Sequence, residues 1–173
     1  MKLEKGWYVL YVKTKHERKI SEAITELGIE TYLPMKTTLR KWSDRTKKIT
    51  VPLFSNYLFV NVQSPNDFYH SLNVTNAFCY LRFGSKYARV REEEIRKIKY
   101  FLSNNEISDI DTTEKVPVVG EKVNIQYGPL EGLECEIISV NNTKKILVRI
   151  ESIQKNIMAT LPASYLVSMD QVG

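Results

Sequence analysis

The apolar positions of this chain change their spacing several times, and each change marks an element. Trp7 to Lys13 is rich in aromatic and β-branched residues, which predicts an opening strand. Ile20, Ala23, Ile24 and Leu27 then fall at i, i+3, i+4 and i+7, the stripe of an amphipathic helix. Thr14 and Glu17 have capping-box spacing at its start, and Gly28 can close it in the left-handed conformation. Thr31 to Leu39 predicts a strand. Arg40 to Lys48 predicts a charged hairpin tip with Arg40, Lys41, Arg45, Lys47 and Lys48 around Trp42. Ser64-Pro65 predicts an N-cap with proline at the first helical position, followed by a short helix pairing Phe68 with Leu72. Phe78 to Phe83 predicts a strand ending at Gly84. Arg91 to Leu102 predicts a helix with Ile95, Ile98 and Leu102 inward, and Glu92, Glu93 and Glu94 at its positive end.

The run from Pro52 to Val60 is the most telling. Its second half alternates, so Tyr57 and Phe59 share one face of a strand while Leu58, Val60 and Val62 share the other. The aliphatic row suits a core under helices. The aromatic row has two readings: a second buried face, or the rigid amphipathic surface typical of a protein contact.

Beyond Leu102 the period shortens. Val123 to Gln126, Cys135 to Val140, Ile146 to Ile150, Ile157 to Leu161 and Leu166 to Met169 are strand-like and about ten residues apart, with no helical pattern. Such spacing predicts a small all-β barrel. Between the two patterns, residues 103–115 are polar and acidic, as in a flexible linker. The expected organisation is therefore residues 1–102, an α/β sandwich, then the linker, then residues 116–173, the barrel; the fold class is α+β.

Charge sharpens that division. Residues 1–102 carry 19 Lys/Arg against 10 Asp/Glu, whereas residues 103–173 carry 6 against 10, within a net charge of +5. A basic first domain and an acidic second one imply different partners. Lys13, Lys15, Arg18 and Lys19 crowd the junction of the first strand and helix. They are either a solvated helix face or contacts for phosphates, with Thr75 and Asn76 as neighbouring candidates for a base edge.

Catalytic chemistry finds no footing. Phosphate-binding glycine loops, a nucleophile elbow and metal-ligand clusters are all missing from the sequence, and His16 and His70 stand isolated. Cys79 and Cys135 lie 56 positions apart and are expected as small buried hydrophobes. The apolar run from Trp7 to Val12 is too short for a signal or a span. A cytoplasmic monomer without enzymatic activity, metal or cofactor is expected, with no membrane partner.

Four segments in order resemble the N-terminal (NGN) domain of the NusG family: residues 7–13, Leu33-Pro34-Met35, residues 52–60 and Leu81-Arg82-Phe83-Gly84. Gly120, Val123, Ile125, Gly128-Pro129 and Gly132 resemble its KOW motif. The chain is most similar to the specialised paralogues, the RfaH, UpxY and LoaP groups acting on chosen operons such as surface polysaccharide clusters. The resemblance implies a transcription elongation and antitermination factor that suppresses pausing or termination. Its implied polymerase-binding residues, facing the clamp helices of the largest RNA polymerase subunit, are Phe54, Tyr57 and Phe59, with Tyr8, Tyr11 and Phe83 beside them. A loop near Tyr69, His70 and Ser71 would face the opposite jaw. Contacts to the non-template DNA strand are implied at Lys13, Thr14, His16, Lys19, Thr75 and Asn76, beside Lys15 and Arg18 of the same cluster. The barrel, with Gly128, Pro129 and Gly132 in its motif and Ile153, Gln154 and Lys155 in its partner loop, would recruit a protein such as a ribosomal one. Two alternatives stand: a general NusG-type elongation factor, or a KOW protein that binds RNA or the ribosome.

Overall fold

The computed structural model describes residues 3–105, 107–113, 121–125, 134–140 and 143–160. Gly128, Pro129, Gly132 and the strand expected over Leu166 to Met169 lie outside these. Two compact units form, Met1–Met35 with Pro52–Ile95, and Lys36–Val51 with Arg96–Gly173. In chain order the elements begin β1 (Gly6–Val12), α1 (Glu17–Glu26), β2 (Thr31–Tyr32), β3 (Met35–Lys41), β4 (Thr46–Pro52), β5 (Tyr57–Val62) and α2 (Pro65–Leu72). They continue with β6 (Ala77–Tyr80), β7 (Arg82–Phe83), β8 (Lys86–Tyr87), β9 (Arg89–Val90) and α3 (Glu92–Ser103). The remaining strands are β10 (Ser108–Thr113), β11 (Glu121–Asn124), β12 (Glu134–Val140), β13 (Thr143–Ile150) and β14 (Lys155–Thr160).

In the first unit β1 is central. Antiparallel pairing runs β2-β5-β1-β6, with β9 also on β1. Tyr8 lies opposite Val60 and Leu10 opposite Leu58; one residue on, Val9 lies opposite Phe59 and Tyr11 opposite Tyr57. The period of two thus separates the two rows as expected. On the first face Tyr8, Leu10, Val12, Leu58, Val60 and Val62 pack with Ile20 and Ile24 of α1, Phe68 of α2 and Tyr80 of β6. Tyr8 therefore belongs to the core under the helices and not to the aromatic row, contrary to its expected place beside Phe59.

Local chemistry explains the helix boundaries. The Ile29 N–H bonds to the Ile24 carbonyl and the Gly28 N–H to that of Thr25, with Gly28 at φ +77°, so α1 ends as expected. Leu27 falls outside the buried stripe because it caps that end, and it is exposed. The capping box expected at Thr14 and Glu17 is absent. His16 is the N-cap without a side-chain capping bond to the helix, and the Glu17 carboxylate reaches across to another segment. At α2 the Ser64–Asp67 box is complete, with proline at the first turn. In α3, Ile95, Ile98 and Phe101 are fully buried; Phe101 takes the place expected for Leu102.

The second unit has a five-stranded antiparallel sheet ordered β10-β14-β13-β12-β11. Its centre is β13, where Ile146, Leu147 and Val148 are all buried. Arg149 on β13 grips Glu136 on β12 through two bonds of 2.8 and 2.9 Å, so a buried carboxylate is fully paired. The segment expected as a free linker, 103–115, instead supplies β10. Ile107 buries itself, and Asp111, Thr112 and Thr113 pair with β14, giving that sheet edge a partner. Of the cysteines, Cys135 is buried as expected, and burial with neighbouring Glu134 and Glu136 pushes its thiol up to about 12. Cys79 is exposed, because it falls on the open side of β6. Among the described residues no helix is long and apolar enough to cross a membrane.

Candidate functional site

Three strands of the first unit meet at one end of the sheet, and each is entered or left through a residue in the left-handed region. Lys15 follows β1 at φ 65°, Asn56 precedes β5 at φ 68°, and Asn76 precedes β6 at φ 72°. Asparagine tolerates this conformation better than most residues, which accounts for two of the three positions. The loops are tied together. The Val12 N–H bonds to the Asn56 carbonyl at 2.8 Å, and the Lys13 N–H to the Asn76 carbonyl at 3.0 Å.

Asn56 is the hub of this corner. Its side-chain amide donates to the Val12 carbonyl and to Thr14 Oγ1, while its N–H donates to Glu17 Oε1. Glu17 is buried at the first turn of α1, so strand, loop and helix are locked as one piece. Replacing Asn56 with alanine should cost about 1–3 kcal/mol. A non-glycine residue would keep the strained φ but lose bonds to the β1–α1 loop. The check is chemical denaturation, with Asn56→Gly recovering the strain component alone.

The basic candidates sit on this corner. Lys13, Thr14, Lys15, Arg18, Lys19 and Thr75 are exposed, and His16 and Asn76 are half-buried. The structure thus joins Lys13 and Asn76, distant in sequence, through a backbone bond. Thr14 and His16 are also engaged locally, since His16 Nδ1 lies 3.1 Å from the Thr14 carbonyl oxygen.

An aromatic patch adjoins the basic loops. The ring centroids of Tyr11 and Tyr57 are 6.1 Å apart, edge to face, and those of Tyr11 and Phe78 are 6.1 Å apart. Tyr11 is 40% exposed and Phe78 55%, with Tyr57 half-buried. Phe78 is present because the β1–β6 register slips between Tyr11 and Val12. The slip leaves Phe78 as the extra residue of a bulge, a device that re-aims a side chain. The sequence reading missed both Phe78 and Asn56. The signals were the Asn-Ala break before Phe78 and the Ser-Asn pair before Tyr57.

Besides Tyr8, six expected polymerase-facing residues are placed differently. Phe59 is 0% exposed and Phe54 3%; their rings lie 6.0 Å apart, with Tyr32 6.1 Å from Phe59. Burial pushes the Tyr32 hydroxyl up to about 12, so that neighbour stays neutral. The aromatic row is therefore core at Phe59 and open only at Tyr57 and Tyr11. Phe83 is exposed but belongs to the separate β7–β8 hairpin. Tyr69, His70 and Ser71 are helical residues of α2 and not a loop. Tyr69 and His70 are exposed, but Ser71 is buried, bonding to the Asp67 and Phe68 carbonyls and to the Tyr80 hydroxyl.

In the second unit the turn after β13 is a 3-10 turn over Glu151–Ile153, and Gln154 takes the left-handed conformation. Ile153 is buried, so of the expected partner loop only Gln154 is well exposed, with Lys155 half-buried.

Comparison with known proteins adds an independent line. Residues 5–99 match the family model described as transcription termination factor nusG. The transcription termination/antitermination protein NusG of Streptococcus pyogenes serotype M6 is 28% identical over 156 residues, covering 82% of this chain and 84% of that protein. A solved structure described as domain interaction in Thermotoga maritima NusG superposes with a TM-score of 0.58 at 19% identity. It covers 96% of this chain and 98% of that one. At that identity the likeness concerns the fold.

Proposed function

The chain belongs to the NusG family of transcription termination and antitermination factors, and from that premise we propose that it is a specialised elongation factor that suppresses pausing on selected operons. The observation that carries this reading is the joining of exposed aromatic rings and basic loops at one end of a single sheet. Tyr11, Tyr57 and Phe78 offer a rigid amphipathic surface for a protein, here the clamp helices of RNA polymerase. Lys13, Lys15, Arg18 and Lys19 offer charge to phosphates beside it, with Thr75 and Asn76 near a displaced base of the non-template strand. A surface that holds protein and nucleic acid together stabilises the one state of the elongation complex that presents both.

Residues 1–102 carry out the binding in this proposal. Residues 116–173 form a KOW-type module recruiting a protein partner, in keeping with their lack of the cationic excess that binding to phosphates needs, 5 Lys/Arg against 6 Asp/Glu. The family pattern of RfaH is more basic at Thr14 and Asn76, so the preferred DNA sequence here differs.

Replacing Lys13 and Lys19 with glutamate tests the corner. These side chains are exposed, so stability should barely change. Binding to an elongation complex should weaken, and the slope of log affinity against log salt should fall by about 0.7 for each single-strand phosphate no longer neutralised. Asn76→Ala should instead change the preference among non-template bases. An unchanged salt slope in the double variant makes the cluster a solvated face.

A further inference from the structure

The strands β3 and β4 form a two-stranded sheet of their own. Its base is closed by the bond from the Leu53 N–H to the Pro34 carbonyl, and its tip by that from the Trp42 N–H to the Arg45 carbonyl. From Thr37 to Lys48 every residue is exposed. Such a ribbon has no fold-level reason to be cationic. Yet Arg40, Lys41, Arg45, Lys47 and Lys48 stand against the single acid Asp44.

The placement of these charges limits what they can meet. Arg40 and Lys41 are consecutive, as are Lys47 and Lys48, so each pair sends one cation to either face of the ribbon. A flat acidic protein surface would meet only one face. A groove walled by two rows of phosphates meets both. A ribbon of this length spans several nucleotides, since strand residues rise about 3.3 Å each and each DNA strand advances about 3.4 Å of helix axis per phosphate. The B-form major groove, about 12 Å wide, admits a two-stranded ribbon, whereas the A-form groove of duplex RNA is too narrow. Single strands are held chiefly by open aromatic faces. At the tip the Arg40 guanidinium already covers the Trp42 ring, 5.5 Å from its centroid. Lys36, at the base, is taken by Asp111 at 2.6 Å and plays no part.

We propose that the β3–β4 ribbon is a second nucleic-acid element, which lies in the major groove of duplex DNA and grips its phosphates through Arg40, Lys41, Lys47 and Lys48. It is separate from the Lys13–Lys19 corner and does not depend on the reading of that corner. The ribbon meets backbone phosphates, so the element positions the chain on a duplex without choosing its sequence.

The test uses the full chain without polymerase and a labelled duplex of about 20 base pairs, long enough for two turns of B-form DNA, with anisotropy measured at several salt concentrations. Changing Arg40, Lys41, Lys47 and Lys48 together to glutamate should lower duplex affinity at least about 100-fold at low salt. It should also reduce the salt slope by about 0.9 per phosphate, or about 3.6 in all. Lys47→Gln with Lys48→Gln, a milder change at exposed positions, should remove about half of that slope, and it serves if the fourfold variant does not fold. A Lys86→Glu, Arg96→Glu protein, changed at exposed cations that belong neither to the ribbon nor to the Lys13–Lys19 cluster, should keep the parent's duplex slope. Parental duplex binding by the ribbon variants overturns the proposal. So does tighter binding of the parent to single-stranded DNA, duplex RNA or an Asp/Glu-rich peptide than to the DNA duplex, with that preference abolished in the ribbon variants.

Discussion

Phe59→Ala is expected to lower the free energy of unfolding by about 3–5 kcal/mol, as large as any single change in this chain. The ring is fully buried between Phe54 and Tyr32 and lies opposite Val9 on β1. Removing it takes away its transfer energy and leaves a cavity that a paired strand cannot collapse into. Leu58→Ala, on the helix-covered face, should cost about 2–5 kcal/mol for the same reason. Tyr57→Ala should cost less than either, because its ring is partly in water. Guanidinium unfolding curves with unchanged slopes would measure all three. Equal losses for Phe59 and Tyr57 would mean that the row does not grade from core to surface.

The opposite ranking is expected in binding. Tyr11→Ala and Tyr57→Ala should each weaken association with RNA polymerase by about 2 kcal/mol or more, roughly 30-fold, the scale of an interface hot spot. The two rings support each other edge to face, so the double variant should lose less than the sum of the singles. Phe78→Ala should join them, since its ring leans on Tyr11. Phe83→Ala serves as the contrast: it is as exposed as Tyr11 but lies in another hairpin, and its effect should stay under about 1 kcal/mol. Titration of fluorescent chain with purified polymerase gives these values. A loss at Phe83 equal to that at Tyr11 would move the interface to the β7–β8 hairpin.

Much of this architecture was legible in the residues because period and caps are local signals. The alternation through β5 separated Leu58 and Val60 from Tyr57 and Phe59 correctly, and Gly28 and Ser64-Pro65 marked their helix ends. What the sequence could not show was depth. Tyr57 and Phe59 look alike along the chain, and their difference in exposure depends on how far each lies from the open end of the sheet. The Thr14–Glu17 spacing failed for a similar reason, since Asn56, far along the chain, competes for both side chains. Ser108 to Thr113 looked like linker because an edge strand with polar residues has no apolar period, and only its pairing with β14 reveals it. Phe78 needed a register slip between two strands, which no single strand encodes.

The most direct test of the account is the lifetime of a defined pause on purified RNA polymerase, measured by single-round transcription with and without the full chain. The account predicts a shorter pause with the parent. With the Tyr11→Ala, Tyr57→Ala protein at the same concentration, it predicts the longer lifetime of polymerase alone, although that protein remains folded. A pause equally long with and without the chain, or shortened as much by the double variant, would contradict it.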